Sequence, residues 1–414
     1  MPWRSRDVWA ISLSAFFADL GYQAVLAGFP LFLVLTLHQP VWEYGLASAL
    51  SYGGGALFSY AGGRIGDRVG HRSLALAGNA VIPLLSLSAL LASPVWAIGL
   101  LTGGWWARNL RSPSRRVMLV EAVPAEKDRS AAFGFLHALD VGGGALAGVY
   151  VLIALASHLA FRWIFLATAV PLAISTVSLS RAHVGGRRVP DGPGASGDPV
   201  EAPAPGARSL LAAAALYGFT YYSVGFPVLT VAQGSRRLLD GIGAFLVLQA
   251  TSALTGYLLG GRLGSSPADQ FARLGLLGYL GAAIGAGLVA LSYGGHLGLV
   301  VMLIGVAVIG FALGIVETLE PTAMSILRSG PRSSHGMGAL SAARSVGAFV
   351  GNLVMGLLYG ISVPLAYGYA AFVAGLAGVI VLATIPALRR WHKDRDHKSQ
   401  MSEKERLETR PGAT

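Results

Sequence analysis

Long apolar stretches alternate with short charged or Pro/Gly-rich breaks along almost the whole chain. Each stretch has about twenty residues or more, the length that a helix needs to cross a hydrocarbon core. The pattern predicts an all-α, polytopic membrane protein with about twelve transmembrane helices. The predicted spans are 8–37, 42–61, 73–92, 95–119, 131–156, 161–180, 210–232, 240–260, 273–292, 296–327, 336–360 and 365–388.

The stretch 181–209 interrupts this alternation. It is rich in Pro and Gly and has almost no large apolar residue, which is typical of a flexible linker. We therefore expect an N-terminal six-helix bundle at 1–180 and a C-terminal six-helix bundle at 210–388. The charged tail 389–414 is expected to be disordered or loosely helical at the membrane surface.

Composition leads to the same class. Hydrophobic residues make up 54% of the chain and charged residues only 12%, which excludes an ordinary soluble domain and makes membrane lipid the surrounding partner. The net charge of +11 resides in short loops and tails, so it does not indicate a nucleic-acid partner. We expect a monomer. The chain has no cysteine, which excludes disulfides and thiolate metal sites.

The distribution of basic residues predicts the orientation. Of the 31 Lys and Arg residues, only Arg162, Arg236 and Arg237 fall on one side of the predicted topology. The positive-inside rule places the other side, with both termini, in the cytoplasm. The first apolar stretch is too long for a signal peptide and lacks a clear cleavage site, so it is interpreted as a retained helix. A multi-pass protein of the cytoplasmic (inner) membrane is expected.

The break between the second and third predicted spans concentrates charges and glycines. Glycines suit a tight turn, and the arginines suit the cytoplasmic side. Asp67 lies among arginines, so charge-assisted bonds are expected to lock helix ends together and to release them when the protein changes shape. An ordinary solvated loop is the alternative. The candidate gate residues in this loop are Gly63, Arg64, Gly66, Asp67, Arg68, Gly70 and Arg72.

Two weak internal repeats relate the halves. One aligns Gly143 with Gly347 and Asp140 with Arg344, so that an acidic and a basic residue occupy equivalent positions. Asp140 and Arg344 are further candidates for a gate or a structural ion pair. The second repeat aligns the glycines of the charged loop with 261–264.

Ionisable residues inside spans are costly to bury and are candidates for function. Asp19 lies close to the middle of the first span, where it is either a protonation or substrate site or part of a permanent ion pair. Its expected partners are Arg108 and Arg111 on the fourth span, which share a helical face with Arg115. Their fixed charge favours anions. Arg115 and its neighbour Arg116 are better explained as part of the cytoplasmic loop.

The second half carries the opposite sign at the corresponding helix. Glu317 and Glu320 share a face and are candidates for proton carriage, for cation recognition or for salt bridges that close a gate. Tyrosines suit either a ligand cavity or plain packing. The remaining candidate site residues are Tyr22, Gln23, Tyr221 and Tyr222.

The string Gly-x-x-Gly-Asp-Arg-x-Gly-x-Arg, which begins at Gly63, resembles the signature between helices two and three of the major facilitator superfamily. This resemblance implies two six-helix bundles around a central cavity, with alternating access by rocking. Motifs around Asp19, Arg108, Asp140 and Glu317 resemble a bacterial and archaeal branch with poorly defined substrates. Gln23, Arg116 and His137 depart from that branch, where Glu, Asp and Arg are usual, which leaves proton coupling mainly to Asp19.

The expected function is secondary active transport of a small solute, driven by a proton or other ion gradient and without a cofactor. The arginines favour an anion, the glutamates a cation and the tyrosines an amphipathic molecule, so the substrate stays open, as does the choice between uptake by a permease and efflux. A membrane sensor or scaffold that has lost transport is the alternative. No nucleophile elbow, phosphate-binding loop or zinc spacing indicates an enzyme.

Overall fold

A computed structural model describes residues 5–123, 126–184, 206–220, 224–260, 266–293, 298–327 and 333–408. These residues are almost entirely helical, and they contain no strand. The all-α prediction is therefore confirmed. We call α1–α6 the N half and α7–α12 the C half.

The helices follow the predicted spans in order, several of them built from consecutive pieces. They are α1 (Arg6–Pro30, Leu31–Thr36), α2 (Val41–Ser48, Ala49–Gly53, Gly54–Val69), α3 (His71–Val81, Ile82–Leu87), α4 (Pro94–Ala122), α5 (Glu126–Ala156), α6 (Phe161–Ala167, Ala169–Ser180), α7 (Ala207–Thr220, Gly225–Ser235), α8 (Leu238–Gly260), α9 (Pro267–Arg273, Leu274–Tyr279, Leu280–Ser292), α10 (Gly298–Leu327), α11 (Ser333–Ile361) and α12 (Val363–Glu408).

Eight helical stretches among the described residues are long and apolar enough to cross a membrane. They also present large apolar side chains such as Ile153 and Phe372 outward, as a lipid-facing surface requires. The predicted spans 42–61, 73–92 and 95–119 are helical but are not among the eight, nor is 210–232. The protein is thus a multi-pass membrane protein, and the count of twelve crossings stays a prediction.

Three groups of buried side chains show how the halves are joined. A shared core contains residues from both halves, such as Phe29 and Phe165 in the N half and Phe226 and Phe245 in the C half. The other two groups each lie within one half. The N-half core consists of α1, α3, α4, α5 and α6 residues near the 182–184 end, and the C-half core of residues near Gly206. We call this end of the molecule the linker end.

At the opposite end the two halves approach through small residues and aromatic rings. A Cβ on Gly45 of α2 would lie 2.6 Å from the Asn352 carbonyl oxygen of α11, and the ring centroids of Tyr44 and Phe226 are 5.0 Å apart. On α5, a Cβ on Gly148 would lie within 3.0 Å of the α8 side chains. Larger residues at the two glycines would therefore push the halves apart.

The internal repeat is visible in the packing. Gly143 of α5 faces the Phe16 carbonyl of α1, and Gly347 of α11 faces the Ala215 carbonyl of α7. In both places any Cβ would overlap with that carbonyl oxygen. Equivalent glycines thus allow close packing of equivalent helix pairs, α5 on α1 and α11 on α7. The second repeat reaches 261–264, which lie outside the described residues.

The charged segment between the second and third spans, predicted to be a tight turn over 63–72, is helical except at Gly70. Helix α2 continues to Val69, so Gly63, Arg64, Gly66, Asp67 and Arg68 are helical. Gly70 alone separates α2 from α3, with a φ of 95° that favours glycine. A single residue with a positive φ reverses the chain direction here, so the two helices are connected without a loop of several residues.

Contacts of this turn lie within the N half. Asp67 pairs with His71, 3.3 Å away, and with no arginine among the described residues. Arg72 donates to the carbonyl oxygens of Ser180 (2.8 Å) and Ala182 (2.7 Å), at the end of α6 where carbonyls lack helical partners. The gate role of the segment stays a prediction.

The linker and the tail are described in part. Helix α7 begins at Ala207, inside the predicted linker 181–209, whose central residues lie outside the described range. Helix α12 runs to Glu408, so the tail is helical over most of its length. Of the two expected states of the tail, the helical one is found.

Candidate functional site

A cavity of about 410 Å³ lies between the halves, where the shared core meets the C-half core. It is lined by Gln23, Tyr52, Trp105, Arg108 and Asn109 of the N half and by Tyr217, Val224, Pro227, Leu248, Gln249, Ala282, Ala286, Ile309, Leu313, Glu317, Ala370 and Ala374 of the C half. Arg108 and Glu317 are the charged residues of this lining, one on each wall.

The predicted site residues divide into three sets. Gln23, Arg108 and Glu317 line the cavity. Asp19, Tyr22, Arg111 and Glu320 are not in the lining; all four are buried, and the contacts described below connect Asp19 and Tyr22 with Arg108, and Glu320 with Glu317. Tyr221 and Tyr222 lie outside the described residues.

Aromatic rings hold Arg108 in place on the cavity wall. Its guanidinium carbon lies 4.7 Å from the ring centroid of Trp105 and 5.2 Å from that of Tyr22. Nη2 of Arg108 donates to the Tyr22 hydroxyl at 3.5 Å. Among the described side chains, no carboxylate is within ion-pair distance of Arg108. The ring contacts orient the planar cation without neutralising its charge.

Asp19 and Asp140 form a carboxyl pair behind Arg108. The Tyr22 hydroxyl, three residues along α1, donates to Oδ1 of Asp19. Asp140 of α5 is a neighbour of Asp19, and Gly143 permits this because α1 packs directly against it. Oδ2 of Asp19 and Oδ1 of Asp140 are buried and have no donor among the described groups. A proton on either carboxyl group would supply the missing donor.

Arginines of α4 surround this pair. Nη2 of Arg115 lies 3.5 Å from Oδ2 of Asp140. Arg111 is fully buried, and none of its three guanidinium nitrogens has a partner among the described residues. Gly78 of α3 leaves room for it, since a Cβ there would lie 2.9 Å from the Cβ of Arg111. We define the N-half cluster as Asp19, Tyr22, Arg108, Arg111, Arg115 and Asp140.

The C-half cluster comprises Tyr279, Glu317, Glu320 and Arg344. Arg344 of α11 binds Glu317 and lies 3.4 Å from Oε2 of Glu320 through its Nε. The Tyr279 hydroxyl donates to Oε1 of Glu320 at 2.6 Å. Glu320 is fully buried, whereas the Glu317 side chain is 47% exposed. Arg344 thus bridges two carboxylates within one half.

The structure brings together residues that the sequence had assigned to different roles. Asp140 and Arg344, predicted as gate residues, lie inside the two clusters at equivalent places on α5 and α11. Sequence reasoning missed Tyr52, Trp105 and Gln249 in the lining. Trp105 was detectable, because it lies three residues before Arg108 and therefore on the same helical face.

Possible metal ligands are dispersed in this fold. Within the described parts of the chain, no group of three or more His, Asp or Glu side chains is placed to hold a metal ion. The charged groups around the cavity form ion pairs and hydrogen bonds with one another instead.

Solved structures share this architecture over nearly their whole length. The chain matches a mutant of the nucleoside transporter NupG with a TM-score of 0.73 and 12% identity, over 92% of this chain and 99% of that one. A POT family transporter in complex with a thioalcohol-conjugated peptide gives 0.74 and 14%, over 92% and 96%. A bacterial homologue of the human lysosomal transporter Spinster, inward-facing and occupied, gives 0.66 and 15%, over 95% and 97%.

Sequence comparison defines the family. A search of curated protein sequences found no match. A sequence model of the Major Facilitator Superfamily matches residues 11–331, which is well over half of the chain. The matched region includes the turn at Gly70 and every residue of the cavity lining except Ala370 and Ala374. The chain therefore belongs to the major facilitator superfamily.

Proposed function

We propose that the protein is a secondary active transporter that moves a small solute by alternating access, driven by the proton gradient across the cytoplasmic membrane. The cavity supports this function because it lies between two separately packed halves and has polar groups on both walls. Its volume is in the range of small-molecule sites. The structures that share the fold are described as transporters of nucleosides or peptides, or as a lysosomal transporter homologue.

We infer that this conformation opens toward the linker end. Among the described residues, the shared core joins the two halves at the opposite end, whereas the N-half and C-half cores are separate groups at the linker end. With the orientation expected from the basic residues, the linker end faces the cytoplasm. The state is then inward-facing, and transport requires a second state in which the linker end closes and the opposite end opens.

The Asp19–Asp140 carboxyl pair is the observation that carries proton coupling. Two adjacent carboxylates, of which Asp19 is buried, repel each other, and a shared proton removes the repulsion. Protonation also weakens the attraction of the pair for Arg108 and Arg115, which frees those side chains for solute or for the other half. A proton that alters contacts in this way favours one conformation over the other.

Cysteine labelling tests both parts of the proposal, because the native chain has no cysteine. Gln249→Cys places a thiol in the cavity lining, and a membrane-impermeant maleimide is applied to either side of reconstituted vesicles. We expect labelling from both sides, with proportions that shift with pH. In the Asp19→Asn background the pH shift is lost. Asp269→Asn, which changes an exposed carboxylate outside both clusters, is the matched control and keeps the shift.

The two parts fail separately. Labelling from one side only, at every pH, contradicts alternating access and favours the scaffold or sensor function. Labelling from both sides with the same pH response in Asp19→Asn as in the parent contradicts the role of the carboxyl pair. A monomer is expected to suffice for both results, because the cavity is formed by one chain.

A further inference from the structure

We propose that the solute is a small zwitterion with an aromatic or other apolar body, whose anionic group binds Arg108 and whose cationic group binds Glu317. This inference rests on the proposed function, because it names the substrate class of the same cavity. The N-half wall of the cavity has an excess of positive charge and the C-half wall an excess of negative charge, and the inference follows from this arrangement. The sequence alone left an anion, a cation and an amphipathic molecule open.

The N-half wall carries an excess of positive charge. With every group ionised, the N-half cluster contains three arginines and two aspartates. Arg115 is the arginine paired with Asp140, and Arg111 is sealed from the cavity. Arg108 is therefore the arginine that presents its charge to the cavity, held flat by Trp105 and Tyr22. A fixed planar guanidinium suits a carboxylate or a similar anion.

The C-half wall has negative charge to spare. Its cluster contains two carboxylates and one guanidinium, that of Arg344. Glu320 is fully buried, accepts from the Tyr279 hydroxyl and is not part of the lining, so Glu317 is the carboxylate of this cluster that presents negative charge to the cavity. Glu317 lines the cavity and has an exposed side chain, so a ligand ammonium reaches it without displacing Arg344.

Beside the two charged groups, the lining combines apolar and aromatic side chains with the amides of Gln23, Asn109 and Gln249. Leu248, Ile309 and Leu313 lie on the C-half wall, and the rings of Tyr52 and Tyr217 lie on opposite walls. Such a surface stabilises an aromatic or branched aliphatic body by burial and ring contacts. A ligand that carried only one charge would leave the opposite charged wall without a partner, which weakens binding.

Three matched probes separate the charge classes. L-phenylalanine is the zwitterion, 3-phenylpropanoate lacks its ammonium group, and phenethylamine lacks its carboxylate. Binding to the purified full-length protein is measured by isothermal titration calorimetry at pH 7. We expect phenylalanine to bind at least about tenfold more tightly than either analogue, since each lost charged contact is expected to cost that much or more. Equal binding of a singly charged analogue, or no binding of phenylalanine, overturns the proposal.

Charge-removing variants assign each end of the ligand. Arg108→Gln is expected to remove the advantage of phenylalanine over phenethylamine, and Glu317→Gln its advantage over 3-phenylpropanoate. Arg108→Lys keeps the charge and should retain a weakened preference for the zwitterion. Arg162→Gln, which removes an exposed arginine outside the cavity lining, is the control and leaves all three affinities unchanged. Loss of both preferences in either single variant contradicts the assignment of the two ends.

Flux measurements distinguish failure of this inference from failure of the proposed function. Radiolabelled phenylalanine is loaded into proteoliposomes, and exchange with external phenylalanine is followed. Tight binding without exchange contradicts transport while the substrate class stands. Exchange of labelled 3-phenylpropanoate or phenethylamine that exceeds exchange of phenylalanine contradicts the substrate class while transport stands.

Discussion

The N-half cluster and the C-half cluster occupy equivalent places in the two halves. They differ in how many of their charged groups have partners. In the C half, one guanidinium bridges two carboxylates and a tyrosine hydroxyl donates to Oε1 of the buried one, whose Oε2 lies at ion-pair distance from the guanidinium but has no hydrogen-bond donor among the described groups. In the N half, Arg111 is buried without a partner among the described residues, and one buried oxygen on each of Asp19 and Asp140 also has no donor among the described groups. Asp140 and Arg344 occupy equivalent positions of the internal repeat. Both halves therefore carry a charge at this position, but the charges have opposite signs.

This difference separates a structural role from a functional one. Ion pairs and hydrogen bonds that link several helices rigidify them, and in the C-half cluster both carboxylates are paired with Arg344, so this cluster is expected to hold α9, α10 and α11 as one unit. Buried polar groups without partners are costly and persist where another state, a ligand or a proton supplies what is missing. We therefore assign the proton and the conformational response to the N half. The C half supplies a fixed wall with one available carboxylate.

The largest expected effect tests the structural role of the C-half cluster. Arg344→Met leaves Glu317 and Glu320 unpaired next to each other, and we expect the free energy of unfolding to fall by about 3 kcal/mol. Arg115→Met, which removes the cation of the N-half ion pair with Asp140, should cost less than about 1 kcal/mol, because it also removes repulsion from the neighbouring arginines. Denaturant unfolding in detergent measures both. Equal losses would show that the two clusters do not differ in the way described.

The next largest effect tests the close helix packing that both halves have at an equivalent glycine. Gly143→Ala and Gly347→Ala each place a methyl group against a backbone carbonyl of the neighbouring helix, so each should cost about 2 kcal/mol by overpacking. Gly103→Ala and Gly287→Ala are matched controls, because nothing lies within 4 Å of a Cβ at either position. Thermal unfolding of the four variants gives the result. A loss at only one of the first two glycines would break the equivalence of the halves.

A smaller effect compares the ion pairs themselves. A double-mutant cycle on Arg115 and Asp140 should give a coupling energy below about 1 kcal/mol, since the pair is 3.5 Å apart and a quarter of the Asp140 side chain is exposed. The same cycle on Arg344 and Glu320 should give more, because Glu320 is fully buried. The unfolding free energies of the four proteins in each cycle are compared. A larger coupling energy for Arg115 and Asp140 than for Arg344 and Glu320 would contradict the view that the N-half charges are the less completely paired ones.

Much of the fold was predictable because burial in lipid imposes a simple pattern. A spanning segment must be helical, long and apolar, so runs such as 8–37 and 296–327 gave their helices to within a few residues. The charged turn was harder to predict. Its composition is that of a loop, yet Gly63 to Val69 extend α2, because a single glycine with a positive φ suffices to reverse the chain.

The site was predictable residue by residue but not as contacts. Asp19, Arg108 and Glu317 stood out because charge inside an apolar span is costly. The approach of Asp140 to Asp19 depends on how closely α5 packs on α1, and periodicity within one helix does not contain that information. Gln249 and Tyr52 carry no charge, so their place in the cavity lining required the structure.

The smallest expected effect on stability concerns Asp67, which belongs to neither cluster. Its pairing with His71 is half exposed and joins residues four apart, so Asp67→Asn should change the unfolding free energy by less than about 0.5 kcal/mol. If the turn acts as a gate, its contacts matter only when the linker end closes. We then expect labelling of the Gln249→Cys thiol from the outer side to fall severalfold in this variant while stability is unchanged. Asp269→Asn should alter neither quantity. Unchanged outer labelling in Asp67→Asn would remove the turn from the conformational cycle and leave the N-half cluster as the element that responds to protons.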